Sequence, residues 1–308
     1  MTRILLIGAN GQLGQELHRT LGAEGALTAV GRTELDLTQA DAIRDTIRSL
    51  TPEVIVNAAA YTAVDKAEAN EDVAKAVNAI APTVMAEESQ RLGATLMHVS
   101  TDYVFNGRKN TPYLETDLPD PLGIYGQTKL MGEDGIRQSC NRHIIIRTAW
   151  VYGTQGKGNF VKTMLRLGAE REELGIVVDQ VGSPTWTRDL ADAMTALVHH
   201  LNPQIDPQNP SMENQTPEFL GLYHYANSGV ISWYDFAIAI FEEAEAIGFP
   251  LAIKRVKPIF TAEYPLPAQR PAYSSLSNRR IANATGVYPP YWRHSLRKML
   301  AELYALRA

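Results

Sequence analysis

Arg3-Ile-Leu-Leu-Ile runs directly into Gly8-Ala-Asn-Gly11-Gln-Leu-Gly14 and then into Gln15-Glu-Leu-His-Arg-Thr-Leu21. Few arrangements of a chain can accommodate that order. An apolar run bounded by glycine reads as a parallel strand buried on both faces. The glycines let the backbone turn tightly, and the helix that follows presents unsatisfied N–H groups to an anion. Together they predict the opening of a dinucleotide-binding sheet, with a pyrophosphate on the helix N-terminus. The spacing is G-x-x-G-x-x-G rather than the more familiar G-x-G-x-x-G. Gly8, Asn10, Gly11, Gln12, Leu13 and Gly14 form the expected cradle.

The rest of the first half repeats that alternation. Strands are predicted over 3–8, 26–31, 53–57, 95–100 and 143–148, with helices near 12–22, 39–50, 72–92 and 125–138. Strands alternating with helices define an α/β, Rossmann-type doubly wound parallel sheet. After Gly153 the pattern loosens into a smaller, mixed α/β C-terminal substrate-binding part. A helix is expected over Asn159–Leu167, a strand over Ile176–Gln180, and a helix capped by Thr187. Residues 202–218 hold four X-Pro turn signals and read as an exposed loop. A strand follows at Gly221–Asn227, and Ser232-Trp-Tyr-Asp235 caps an apolar helix to about Ala246. The expected division is 1–153 for the dinucleotide-binding core and 154–308 for the substrate part, interleaved with segments returning to the core sheet.

Chemistry is carried by Tyr125 and Lys129, the only Tyr-x-x-x-Lys pair in the chain. That spacing places both side chains on one helix face, one turn apart. An ammonium near a phenol favours the phenolate. At ~4 Å and an effective dielectric of ~20 the attraction is on the order of 4 kcal/mol, or roughly three pKa units. A phenol shifted that far towards neutrality serves as a general acid or base. Ser100 and Thr101 both follow an apolar strand at the ligand end of the sheet, and either hydroxyl is placed to orient a carbonyl oxygen. At the end of the second strand stands Arg32, where an NAD-selecting fold usually has an acid for the ribose 2′-hydroxyl. A basic residue there suits a 2′-phosphate, although a surface arginine would read the same way. Ala60, Tyr61 and Thr62 end the third strand, where such ligands bind.

The spaced glycines with Tyr-x-x-x-Lys resemble the extended short-chain dehydrogenase/reductase superfamily. Val54–Glu68, His98–Phe105, Arg147–Gly153 and Arg270–Ser274 narrow the likeness to the dTDP-4-dehydrorhamnose reductase family, over Ile4 to about Tyr304. The resemblance implies NADPH as cofactor, with NADH possible, and reduction of the C4 keto group of dTDP-4-dehydro-L-rhamnose. It places the hydroxyl role on Thr101, beside Tyr125 as general acid and Lys129 as the group that tunes it and holds the nicotinamide ribose. It adds Asp36 and Leu37 near the adenine and Asn78 as support for the lysine. Thr62, Val64, Asp102 and Trp150 become sugar-nucleotide contacts. A non-catalytic alternative exists, because the methionine adenosyltransferase beta subunit is similar to this family and binds NADP. The 4,6-dehydratases carry Asp-Glu after the catalytic Thr, whereas Asp102 is followed here by Tyr103. Epimerases keep NAD tightly bound, which Arg32 does not suit.

Composition bounds the remaining readings. The 308 residues are 45% hydrophobic and 20% charged, as in a globular enzyme. A net charge of -5 and a pI near 5.8 give no basic footprint for nucleic acid or an anionic membrane. Cys140 is the only cysteine, so no internal disulfide is possible and a reducing cytoplasm is expected. The seven histidines form no metal constellation. In some members of the resembled family magnesium at helix carboxylates joins a homodimer, and Glu16 matches one such position. Tyr291-Trp-Arg-His294 presents bases where another acid is needed, so no metal is expected.

Overall fold

The computed structural model describes residues 1–201 and 219–307, so the proline-rich loop expected over 202–218 lies outside the described residues. The chain opens with β1 (Arg3–Ile7), α1 (Gln12–Leu21), β2 (Ala26–Val30), α2 (Ala40–Leu50) and β3 (Val54–Asn57). Two short helices, α3 (Val64–Ala67) and α4 (Glu71–Lys75), lead to α5 (Ala81–Leu92), β4 (Thr95–Thr101), α6 (Ile124–Ser139) and β5 (His143–Thr148). The strands of this half agree with the predicted ones to within a residue or so, because apolar runs such as Ile144–Ile146 have no other place to be buried.

The helix expected over 72–92 is interrupted. Residues Ala76–Ile80 form a π turn between α4 and α5. Its wider loop sets the Asn78 side chain into the interior, where it is wholly buried. Hydrophobic periodicity alone does not reveal such an inserted turn.

Beyond β5 come β6 (Val151–Tyr152), α7 (Phe160–Glu170), β7 (Glu173–Val177), β8 (Val181–Gly182), β9 (Thr185–Trp186) and α8 (Thr187–His200). The strand predicted at Ile176–Gln180 therefore begins three residues earlier, since Leu174 and Ile176 alternate inward against an exposed Glu173 and Gly175. Thr187 is the first residue of α8 rather than its cap, with its hydroxyl buried; Trp186 precedes the helix and makes no capping bond. The chain closes with β10 (Gly221–Tyr225), β11 (Ile231–Ser232), α9 (Trp233–Ala246), β12 (Arg255–Ile259), α10 (Arg279–Thr285) and α11 (Trp292–Ala305). Ser232 and Asp235 make the expected reciprocal capping box at α9.

Six strands form one parallel sheet in the order β10-β5-β4-β3-β1-β2. The winding reverses between β1 and β3, and the crevice outside the carboxyl ends of the strands at such a reversal is where ligands bind. One face is covered by α1 and α8 through Leu13, Leu17, Leu190, Met194 and Leu197, and the other by α2, α5 and α6. A second core, built on Trp186, Phe236, Ile240, Trp292 and Leu296, fills the smaller part. No helix among the described residues is long and apolar enough to cross a membrane.

Candidate active site

A cavity of about 570 Å³ lies across the carboxyl ends of the strands. Its floor begins at the glycine turn. Gly8 adopts φ +90, and a Cβ there would lie 2.8 Å from the Ala59 nitrogen. A Cβ on Gly14 would lie 2.0 Å from the Gly8 carbonyl oxygen, so Gly14 serves close packing of α1 on β1 and does not line the cavity. Gly11 caps α1 with no side-chain hydrogen bond. The open first-turn amides thus fit an anionic pyrophosphate.

Of the cofactor positions expected from sequence, Gly8, Asn10, Gly11, Gln12, Leu13, Arg32, Asp36, Leu37, Ala60, Tyr61 and Thr62 all line this cavity. So do Thr62, Val64, Thr101, Asp102 and Trp150, the expected sugar-nucleotide contacts, together with Tyr125 and Lys129. Asp36 accepts hydrogen bonds from the Thr38 amide (3.0 Å) and hydroxyl (2.9 Å), which hold its carboxyl below the usual range. Glu34 accepts from the Gly31 amide at 2.8 Å and from Thr33, while Arg32 stands exposed at the mouth. Arg32→Ala is expected to reduce an NADPH-over-NADH preference of roughly tenfold to a hundredfold nearly to parity. Steady-state kinetics with both cofactors measure it, and a wild-type preference for NADH would refute this role for Arg32.

Asn78 is wholly buried. Its side chain accepts from the Tyr61 amide (2.9 Å) and donates to the Tyr61 carbonyl (3.1 Å) and Thr128 hydroxyl (3.3 Å). The π turn aims it at the strand-end loop, where it shapes the cavity wall through Tyr61. Lys129 is held elsewhere: Nζ donates to the Val99 carbonyl at 2.7 Å and lies 2.9 Å from His98 Nε2.

The phenol departs from expectation. Burial pushes the Tyr125 hydroxyl up to about 12, offset partly by a hydrogen bond with Thr101, and burial draws Lys129 down to about 8. The depression expected from an adjacent ammonium fails because Nζ is directed at Val99 and His98 and both side chains are dehydrated. A protonated phenol results, the state a general acid needs. Thr101 donates to Asp102 at 3.1 Å and accepts from the Tyr103 amide at 3.2 Å, so its hydroxyl is fixed beside the phenol.

Burial raises Asp102 to about 6, with Ser274 and Thr101 hydrogen bonds offsetting only part of that. Above pH 6 the buried carboxylate destabilises the fold by about 3 kcal/mol, and the penalty is relieved as pH falls from 6 towards 3.8. Asp102→Asn is therefore expected to raise the melting temperature at pH 7, to give little gain near pH 4, and to weaken binding of a polar ligand. An unchanged or lower melting temperature at pH 7 counts against it.

Several contacts around the site were not visible in sequence. Asn159 caps α7 and donates to Gln12 Oε1 at 2.7 Å, tying the glycine turn to the smaller part. An asparagine before an apolar helical run was the signal for its cap, though not for that reach. Arg270 forms a two-pronged ion pair with Asp65 (2.8 and 3.1 Å), joining two segments of the family likeness. Trp150 adopts a left-handed backbone (φ +47) that lays its ring on Trp233, centroids 3.5 Å apart. Behind Thr101, the Ser100 hydroxyl donates to Glu133 at 2.6 Å, and Glu133 takes a two-pronged pair from the buried Arg147. Ser100 and Thr101 both line the cavity, and the Ser100 hydroxyl is the one committed to Glu133. Glu16 is engaged by Arg19 (3.3 Å) and Arg188 (3.5 Å). Among the described residues no group of three His, Cys, Asp or Glu could hold a metal ion.

A doubly wound parallel sheet with a glycine cradle at its switch point and a Thr, Tyr and Lys around the same cavity defines a nucleotide-cofactor oxidoreductase of the short-chain dehydrogenase/reductase type. Residues 1–305 match the family described as the RmlD substrate binding domain, and the chain belongs to that family. It is 41% identical over 309 residues, 99% of each chain, to the dTDP-4-dehydrorhamnose reductase of Escherichia coli K12. It is 43% identical over 303 residues, 98% of each, to the spore coat polysaccharide biosynthesis protein SpsK of Bacillus subtilis. Among solved structures, the dTDP-4-dehydrorhamnose reductase of Bacillus anthracis in complex with NADP superposes with a TM-score of 0.86 at 36% identity, covering 98% of this chain and 99% of that one.

Proposed function

We propose that this protein reduces the C4 keto group of dTDP-4-dehydro-β-L-rhamnose with NADPH, giving dTDP-L-rhamnose. The observation that carries the reading is the convergence of Thr101, Tyr125 and Lys129 on the cavity that the glycine cradle opens. NADPH supplies the hydride that the C4 carbon receives. Tyr125 delivers its hydroxyl proton to the carbonyl oxygen as negative charge develops there. Thr101 orients that oxygen, and Lys129 holds the ribose side of the site. Thr62, Val64, Asp102 and Trp150 hold the sugar nucleotide. Residues 1–153 form the dinucleotide-binding core, and 154–308 form mainly the substrate-binding part, interleaved with segments returning to the core sheet.

Purified protein mixed with the ketosugar nucleotide and NADPH tests this. Absorbance of the reduced nicotinamide should fall by one equivalent per sugar reduced, with no dehydration of dTDP-glucose. Unchanged absorbance, a 4-keto-6-deoxy product from dTDP-glucose, or stoichiometric NAD retained through purification would each overturn it.

A further inference from the structure

We propose that in the cofactor-free protein at alkaline pH His98 holds Lys129 as an uncharged amine, so that binding of the cofactor draws a proton onto Lys129. The inference rests on the cavity being the cofactor site, as read above. It begins at the Ala59 backbone N–H, a group that can only donate. That N–H lies 3.0 Å from Asn57 Oδ1, which fixes the amide: oxygen towards Ala59, NH₂ towards His98. Asn57 Nδ2 is 3.0 Å from His98 Nδ1. An amide NH₂ has no acceptor to offer, so Nδ1 supplies the lone pair and the proton of the neutral ring sits on Nε2.

His98 Nε2 then presents its N–H to Lys129 Nζ at 2.9 Å. An ammonium has no lone pair, whereas an amine accepts here and still donates to the Val99 carbonyl at 2.7 Å. The hydrogen bonds run in one direction from Ala59 through Asn57, His98 and Lys129 to Val99. Charging Lys129 would set two N–H groups head to head where the lysine is 1% exposed and the histidine equally buried. Turning the ring's tautomer moves the conflict to Asn57, and flipping Asn57 moves it to Ala59.

Of the surrounding charges the Glu133 carboxylate favours the ammonium, and burial outweighs it. On its own helix Lys129 faces Tyr125, whose phenol is protonated, and Glu133. Glu133 is already bonded by Arg147 from β5 and by Arg137, each at 2.6 Å. From β4 and the turn after it come neutral His98 and the Asp102 carboxyl, ionised above about pH 6, and from the loop after β3 comes Tyr61. Burial lowers both His98 and Lys129. An anionic cofactor entering the cavity favours the charged form of a nearby amine. Lys129 thereby couples cofactor affinity to proton concentration. His98 and Asn57 act on the lysine and are positioning residues.

Calorimetric titration of the whole protein with NADPH, in buffers of differing ionisation enthalpy, reads the proton directly. At pH 9 the 2′-phosphate is fully ionised, and an amine passing from about 8 to an ordinary lysine value takes up about 0.8 of a proton. NADPH affinity should accordingly fall by roughly tenfold between pH 8 and pH 9.5. Lys129→Met should bind more weakly with no uptake. Asn57→Asp supplies a carboxylate that accepts from Nδ1–H, turns the ring's lone pair on Nε2 to the lysine, and charges it beforehand; uptake should drop several-fold while NADPH still binds. Uptake below about 0.2 of a proton in the wild type, or uptake that persists in Lys129→Met, overturns the proposal whether or not Asn57→Asp folds. A folded Asn57→Asp with wild-type uptake removes His98 from it. Failure of NADPH to bind would instead remove the cofactor assignment, and this inference with it.

Discussion

Tyr125→Phe is expected to lower turnover by roughly 10²- to 10⁴-fold while leaving NADPH affinity within a few-fold. The hydroxyl alone is removed, and the ring keeps its edge-on contact with Tyr103 at 5.4 Å between centroids. The residues expected to hold the cofactor line the cavity from Gly8 to Lys129, so the loss of one hydroxyl leaves most of them in place. What disappears is a proton held ready on a group that burial keeps protonated far above neutral pH. Steady-state rates with cofactor affinity measured separately decide the matter. Less than a tenfold loss of turnover would show that another group donates.

Glu133→Ala is expected to destabilise the fold by about 3–5 kcal/mol, since removing one partner of a buried pair leaves the other charge without compensation. Arg147 is 1% exposed and gives Glu133 two bonds, at 2.9 and 2.6 Å, with its guanidinium over the Phe105 ring. Ser100 loses its acceptor as well, next to Thr101. Burial raises the Glu133 carboxyl, but the Arg147, Ser100 and Arg137 contacts outweigh it and hold the group below its ordinary 4.5. The pair's contribution is therefore whole above that pH and lost on further acidification. Urea unfolding at pH 7 measures the loss. Replacing both residues together, Glu133→Leu with Arg147→Met, should recover most of it. A single-variant loss under 1 kcal/mol would mean that water reaches the pair.

Sequence made the sheet legible because burial on both faces leaves little freedom: Ile4–Ile7 and Ile144–Ile146 have to be strands within a covered layer. The glycine turn and the Tyr125–Lys129 spacing were legible for the same reason, since each is a local geometric demand. Direction was not. The lysine's location beside the phenol followed from helical spacing, but the aim of Nζ depends on Val99 and His98, which only the packing of α6 against β4 brings close. Asn78 was found as a residue, but the π turn that buries it leaves no mark in hydrophobic periodicity. The Asp65–Arg270 pair lies beyond any pattern, its partners separated by 205 positions.

The place of β10 in the sheet constrains how the protein can be made. Its partner β5 is complete at Thr148, yet β10 ends only at Tyr225. A nascent chain on the ribosome therefore carries an open strand edge at Ile144–Ile146 while the intervening residues are synthesised. Exposed edges of that kind pair with other chains and invite aggregation. Expression of residues 1–153 alone would make that transient edge permanent and should yield inclusion bodies, whereas the whole chain closes the edge with its own later strand.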